Sequence, residues 1–120
     1  KPVELIESIH IMGCTAGICL NPETSAETLK EVGPLCDMIL IMTVHPGFGA
    51  QAFMAEEAKK TVRVREIVGP DVRVEIDGGI GPETAPIVVS YGADTLVAGN
   101  AIFGKNDRIE AINAILAALK

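Results

Sequence analysis

Short runs of apolar residues recur four times along the chain, and the stretches between them carry apolar positions at helical spacing. Residues 16–20 (AGICL) are small and apolar, are closed by Asn21 and Pro22, and read as a buried strand. Residues 38–44 (MILIMTV) form the strongest strand and stop at His45, Pro46 and Gly47. Residues 72–76 (VRVEI) form a third, ending at Asp77, Gly78 and Gly79, and residues 95–98 (TLVA) a fourth, ending at Gly99 and Asn100. Strands this evenly apolar predict a parallel sheet covered on both faces.

The intervening segments read as helices. Residues 2–12 stop at Gly13. Residues 25–32 open on a Ser cap and place Glu27 in the first turn, where it suits the helix dipole. Residues 53–68 put Phe53, Ala58, Val62 and Ile67 near one stripe. Residues 83–91 carry Pro86 in a first turn, where a missing N–H costs little. Residues 107–119 follow Asn106 as cap and repeat Ile109, Ile112, Ile115, Leu116 and Leu119 at helical spacing. The order is helix, then four strand–helix units, with no linker, low-complexity tract or charge block.

The chain has 120 residues, one small domain by length. Its formal charge of −6 and the lack of any dense Lys/Arg run argue against nucleic-acid binding. An apolar share of 48% argues against disorder. The longest apolar run is far short of the roughly 20 residues a membrane-spanning helix needs, so no membrane partner is expected. No basic segment followed by an apolar stretch and a small-residue cleavage site stands at the N-terminus, which is Lys1. Cys14, Cys19 and Cys36 are odd in number and lack C-x-x-C spacing. They read as buried, reduced thiols of a cytoplasmic protein.

Parallel α/β folds bind ligands at the carboxyl ends of their strands. Here those ends are rich in glycine, which lets backbone N–H groups approach an anion such as phosphate. Glycines also make tight turns for no other purpose, but three such turns at one end of consecutive strands favour the phosphate reading. Asp77 projects from the end of an apolar strand and has the chemistry of a general base, a metal ligand or both; it could equally cap the next turn. His10, inside a helix, reads as a satisfied structural histidine. His45, in a strand-end loop, reads as a loop residue with substrate contact as the lesser option. Met42 reads as core packing, or as an apolar wall for a substrate.

These loops carry a resemblance. MTVHPGFGAQAF (residues 42–53) resembles the ribulose-phosphate 3-epimerase signature, M-[TS]-V-x-P-G-F-G-G-Q. VEIDGGI (74–80), GADTLVAGNAIF (92–103) and AGICLNPET (16–24) are similar to three further motifs of that family, in order. The resemblance implies a parallel (βα)4 half of a TIM barrel. It would hold strands five to eight as a single C-terminal segment over residues 1–120, with about four βα units preceding it in the family. It implies interconversion of ribulose 5-phosphate and xylulose 5-phosphate in the pentose phosphate pathway. The route is proton removal next to a carbonyl, through an enediolate stabilised by a divalent metal such as Zn, Mn, Fe(II) or Co. By that resemblance Asp77 is metal ligand and acid/base on one face. The other aspartate and two metal histidines belong to strands outside this chain, and His45 fills a variable position. Gly47, Phe48, Gly49 and Ala50 match the loop closing over the phosphate. Gly78, Gly79, Gly99 and Asn100 match the rest of its cradle, and Met42 an apolar cap.

Two positions depart from the pattern: Ala50 replaces the usual glycine and Asn100 the usual serine. With so much of the metal set elsewhere, the isolated chain is expected to be inactive. An allulose-6-phosphate 3-epimerase-like enzyme would show the same phosphate loops. A third reading is non-catalytic: a half-barrel whose open strand edges favour self-association or docking with the missing half.

Overall fold

The computed structural model describes residues 1–47 and 51–120. Strands β1 (Gly17–Leu20), β2 (Met38–Met42), β3 (Arg73–Asp77) and β4 (Thr95–Val97) form one sheet in the order β1-β2-β3-β4. All three pairings are parallel. The result is the expected (βα)4 half of a TIM barrel.

Alternation sets the two faces of the sheet. Ile39, Ile41, Val74 and Ile76 have no exposed surface and face the helices, where Leu29, Ala58, Val64, Ala85 and Val88 complete the core. The other face is not covered, contrary to the expectation from the apolar runs. Gly17 and Cys19 are exposed on it, and Met38, Leu40, Glu75 and Thr95 are half-buried. A barrel fills its interior with side chains from strands on opposite sides, and four strands supply one side only.

Helix α1 (Pro2–Ile11) leads into edge strand β1 and ends as expected: Gly13, at φ +83°, donates its N–H to the His10 carbonyl at 2.9 Å. The helix expected over 25–32 is instead two short 3-10 turns, Ala26–Leu29 and Gly33–Leu35. Ser25 does cap the first, accepting from the Glu27 N–H at 3.2 Å. Pro34 has no N–H to continue a helix. A Cβ on Gly33 would come within 3.0 Å of Val68 Cγ1, so the second turn packs tightly there.

The long helix expected over 53–68 is broken at Lys59 into α2 (Ala55–Ala58) and α3 (Lys60–Val68). Its buried stripe is Ala58, Thr61 and Val64, whereas Val62 is exposed. Helix α4 (Ala85–Ser90) has Pro86 in its first turn, as expected. A one-turn helix, α5 (Asn100–Phe103), was not legible in the pattern. Helix α6 (Arg108–Ala118) leaves edge strand β4, and its cap is Asp107 rather than Asn106: the Asp107 carboxylate accepts from the Glu110 N–H at 3.0 Å. Of its apolar stripe only Ile115 is buried; Ile109, Ile112 and Leu116 are exposed.

Candidate active site at the carboxyl ends of the strands

Register places Met42, Asp77 and Val97 side by side in the last row of the sheet. Period-2 alternation puts Asp77 above Glu75 on the uncovered face. Cys19 shares that face. Its thiol is pushed up from the ordinary value by burial first, then by Asp77 and Glu75, so it stays protonated at neutral pH.

The chain around Asp77 is fixed from below. Thr43 is fully buried; its N–H donates to the Asp77 carbonyl at 2.9 Å and its hydroxyl to the Gly78 carbonyl at 2.6 Å. Gly78 sits at φ +134°, and a Cβ there would stand 2.7 Å from the Val44 backbone nitrogen. Gly79 sits at φ +70°, and a Cβ there would stand 2.9 Å from Phe53 Cα. Both need glycine, on grounds of conformation and of space. Beyond them the Thr84 hydroxyl accepts from the Gly81 N–H at 3.0 Å and donates to the Gly79 carbonyl at 2.8 Å.

A cleft of about 510 Å³ opens over these turns, lined by Asp77, Gly78, Gly79, Gly99 and Asn100 with Val44, Gln51, Thr84 and Val97. The N–H groups of Gly79, Asn100 and Ala101 have no acceptor among the described residues. Backbone N–H groups of this kind suit an anion, and a carboxylate shares their cleft.

The structure thus brings together five of the expected residues: Asp77, Gly78, Gly79, Gly99 and Asn100. Met42 is buried beside Asp77 in the sheet but is not on the cleft wall. Gly47 is exposed and does not line the cleft. Phe48, Gly49 and Ala50 lie outside the described residues. Thr43 and Thr84, which pin the two turns, were missed. A lone Thr in an apolar strand reads as a strand former, and only its depth reveals its task.

Both histidines are engaged elsewhere. His10 pairs with Asp37 at 2.8 Å, and Asp37 also accepts from the Ala16 N–H at 2.7 Å. His45 Nδ1 lies 3.0 Å from the Glu23 carboxylate, and its carbonyl accepts from the Gln51 side-chain amide. Of the thiols only Cys36 is buried; Cys14 and Cys19 are exposed, which corrects the expectation that all three are interior. Among the described residues no three His, Cys, Asp or Glu side chains converge as a metal would require. Asp77 is a single carboxylate, so this donor set does not hold a metal by itself.

Residues 1–103 match the model of the ribulose-phosphate 3 epimerase family. A ribulose-phosphate 3-epimerase of Bacillus subtilis (strain 168) is 40% identical over 114 residues, which are 92% of this chain and 52% of that protein. A chloroplastic ribulose-5-phosphate-3-epimerase of Arabidopsis thaliana is 40% identical over 115 residues, 93% of this chain and 41% of that protein. The chain spans about half the length of the curated relatives it matches. Among solved structures, a 3-hexulose-6-phosphate synthase superposes with TM-score 0.71 at 22% identity, covering 98% of this chain and 56% of that one. The BexX/CysO complex of Amycolatopsis orientalis superposes with TM-score 0.63 at 21% identity, covering 98% and 48%. These two likenesses concern the fold alone. Among the described residues no helix is long and apolar enough to cross a membrane.

Proposed function

The chain belongs to the ribulose-phosphate 3-epimerase family, and from that premise we propose that it is the phosphate-holding half of a pentulose-phosphate epimerase and carries one of its two proton-transferring carboxylates. One observation carries the reading: Asp77 and the N–H groups of Gly79 and Asn100, which have no acceptor among the described residues, belong to one cleft at the carboxyl ends of the strands. A ketose phosphate anchored by its phosphate at these amides presents its sugar carbons toward the centre of the sheet, where Asp77 stands.

The reaction is inversion at a carbon next to a carbonyl. A carboxylate takes the proton from that carbon, negative charge moves onto the carbonyl oxygen, and a proton returns on the other face. Asp77 has the chemistry to serve one face. The group on the other face comes from outside these four strands. A divalent metal has too few ligands among the described residues. Met42, buried beside Asp77 in the sheet, packs behind the strand end and not on the cleft wall. The three free thiols agree with a cytoplasmic setting.

The test is epimerisation of ribulose 5-phosphate by this chain alone, and by the chain joined to the part of the Bacillus subtilis relative that precedes the matched residues. Turnover is expected only in the joined protein, with loss of at least about 10³-fold in Asp77→Asn. A joined, folded protein that is inactive, or one indifferent to Asp77→Asn, overturns the proposal. Running allulose 6-phosphate alongside separates the six-carbon alternative, since the cleft walls described here do not measure sugar length. The non-catalytic reading rests on the apolar side chains exposed on α1 (Leu5, Ile11) and α6 (Ile109, Leu116). A catalytic partner half covers the same surface, so exposure alone does not favour it.

A further inference from the structure

Lys60 on α3 is an enclosed cation, its side chain only 11% exposed. Its ammonium donates to three carbonyls of the loop after β1: Asn21 at 3.3 Å, Pro22 at 3.0 Å and Thr24 at 2.7 Å. The Glu57 carboxylate stands 3.1 Å away and balances the charge. A lysine usually stays in water unless paired. Here three carbonyls of one four-residue loop and the Glu57 carboxylate all lie within reach of one ammonium, which ties that loop to α3.

That loop has one outward connection toward the cleft. Glu23, which lies between Pro22 and Thr24 in the chain and has an exposed side chain, reaches His45 Nδ1 at 3.0 Å, and His45 directly follows Val44 on the cleft wall. The His45 carbonyl in turn accepts from the side chain of Gln51, another lining residue. Lys60 on α3 is therefore linked to the wall facing Gly78 and Gly79 through the backbone of residues 21–24, the Glu23–His45 ion pair and the backbone of His45. We infer that Lys60 is a positioning residue: it clasps residues 21–24 so that Glu23 holds His45, and thereby sets the wall of the anion cleft formed by Val44 and Gln51. Its bearing on the reaction rests on the phosphate reading above; the mechanical link does not.

The experiment uses the 120-residue chain with Lys60→Met, Lys60→Arg and Glu23→Gln. The readouts are the imidazole NMR signals and binding of inorganic phosphate. Lys60→Met is expected to shift the His45 signal in the same direction as Glu23→Gln does with Lys60 intact. Lys60→Arg, which keeps the donors, should restore most of it. His10, paired with Asp37 away from this loop, reports folding and should stay unchanged. Phosphate affinity should fall about two- to fivefold in both Lys60→Met and Glu23→Gln, the range expected for losing one exposed pair. A His45 signal indifferent to Lys60→Met in a chain whose His10 signal is intact overturns the inference and leaves Lys60 a local staple. If Lys60→Met loses the His10 signal as well, Glu23→Gln decides: unchanged phosphate affinity there overturns it. Failure of the wild-type chain to bind phosphate counts against the cradle instead, and the His45 shift still tests the clasp.

Discussion

A methyl group on Gly78 would meet the Val44 backbone, which cannot move aside, in a conformation that already disfavours side chains. Gly78→Ala is therefore expected to destabilise the chain by at least ~2 kcal/mol, read as a lower urea midpoint. Thr61 presents the opposite case. Its hydroxyl is fully buried on α3 with no partner among the described residues. Thr61→Val keeps the shape and removes the unpaired group, so it should be neutral or stabilising by up to ~1 kcal/mol in the same measurement. The candidate site was legible at this scale where chemistry is local: Asp77 and the glycines around it announce themselves as a strand end. Thr43 and Lys60 were not, because their partners are carbonyls far along the chain, and Thr84 was not, because its partners are backbone groups of a turn. Carbonyls have no sequence signature.

Among elements, α3 works as a spine of cations. Arg65 donates to the carbonyls of Gly69, Val72 and Gly92 and to Asp94, joining the loops that enter β3 and β4. Arg65→Ala leaves these acceptors without their donor and should cost about 2–4 kcal/mol in chemical unfolding, while Arg65→Lys recovers only part. Arg63 grips Glu27 through two hydrogen bonds of 2.6 and 2.9 Å. That grip, helped by Lys30, lowers the Glu27 carboxyl from 4.5 to about 2. A depressed carboxyl stabilises the fold above its ordinary value and loses that contribution as pH falls from 4.5 toward 2. Arg63→Gln should therefore lower the urea midpoint at neutral pH, where the pair is fully formed, and converge on the wild type as pH falls toward 2. All four strands were readable because each is short, apolar and bounded by turn residues. The helices were readable as segments and not as faces. Thr61 disguised the buried stripe of α3, Pro34 cut a helix into turns, and Asp107 outcompeted Asn106 for a cap one residue away.

For the molecule as a whole, the apolar strands were misread as doubly covered because apolar side chains on the concave face serve a barrel interior that this chain half builds. Leu40, Met38 and the exposed residues of α1 and α6 together should bind the dye ANS strongly in the isolated chain. Joining the four complementary βα units should reduce that fluorescence severalfold, and an undiminished signal would show that the interior had not closed.

The sheet also carries a helix at each end, α1 leading into β1 and α6 leaving β4. Two copies set end to end would place β4 of one beside β1 of the other, and the furrow over that junction has room for a single helix, as in any βα crossover. Both α6 and the second copy's α1 would claim it. Tandem duplication of this gene segment therefore yields a closed ring of eight strands only after one of the two competing helices has been deleted at each junction.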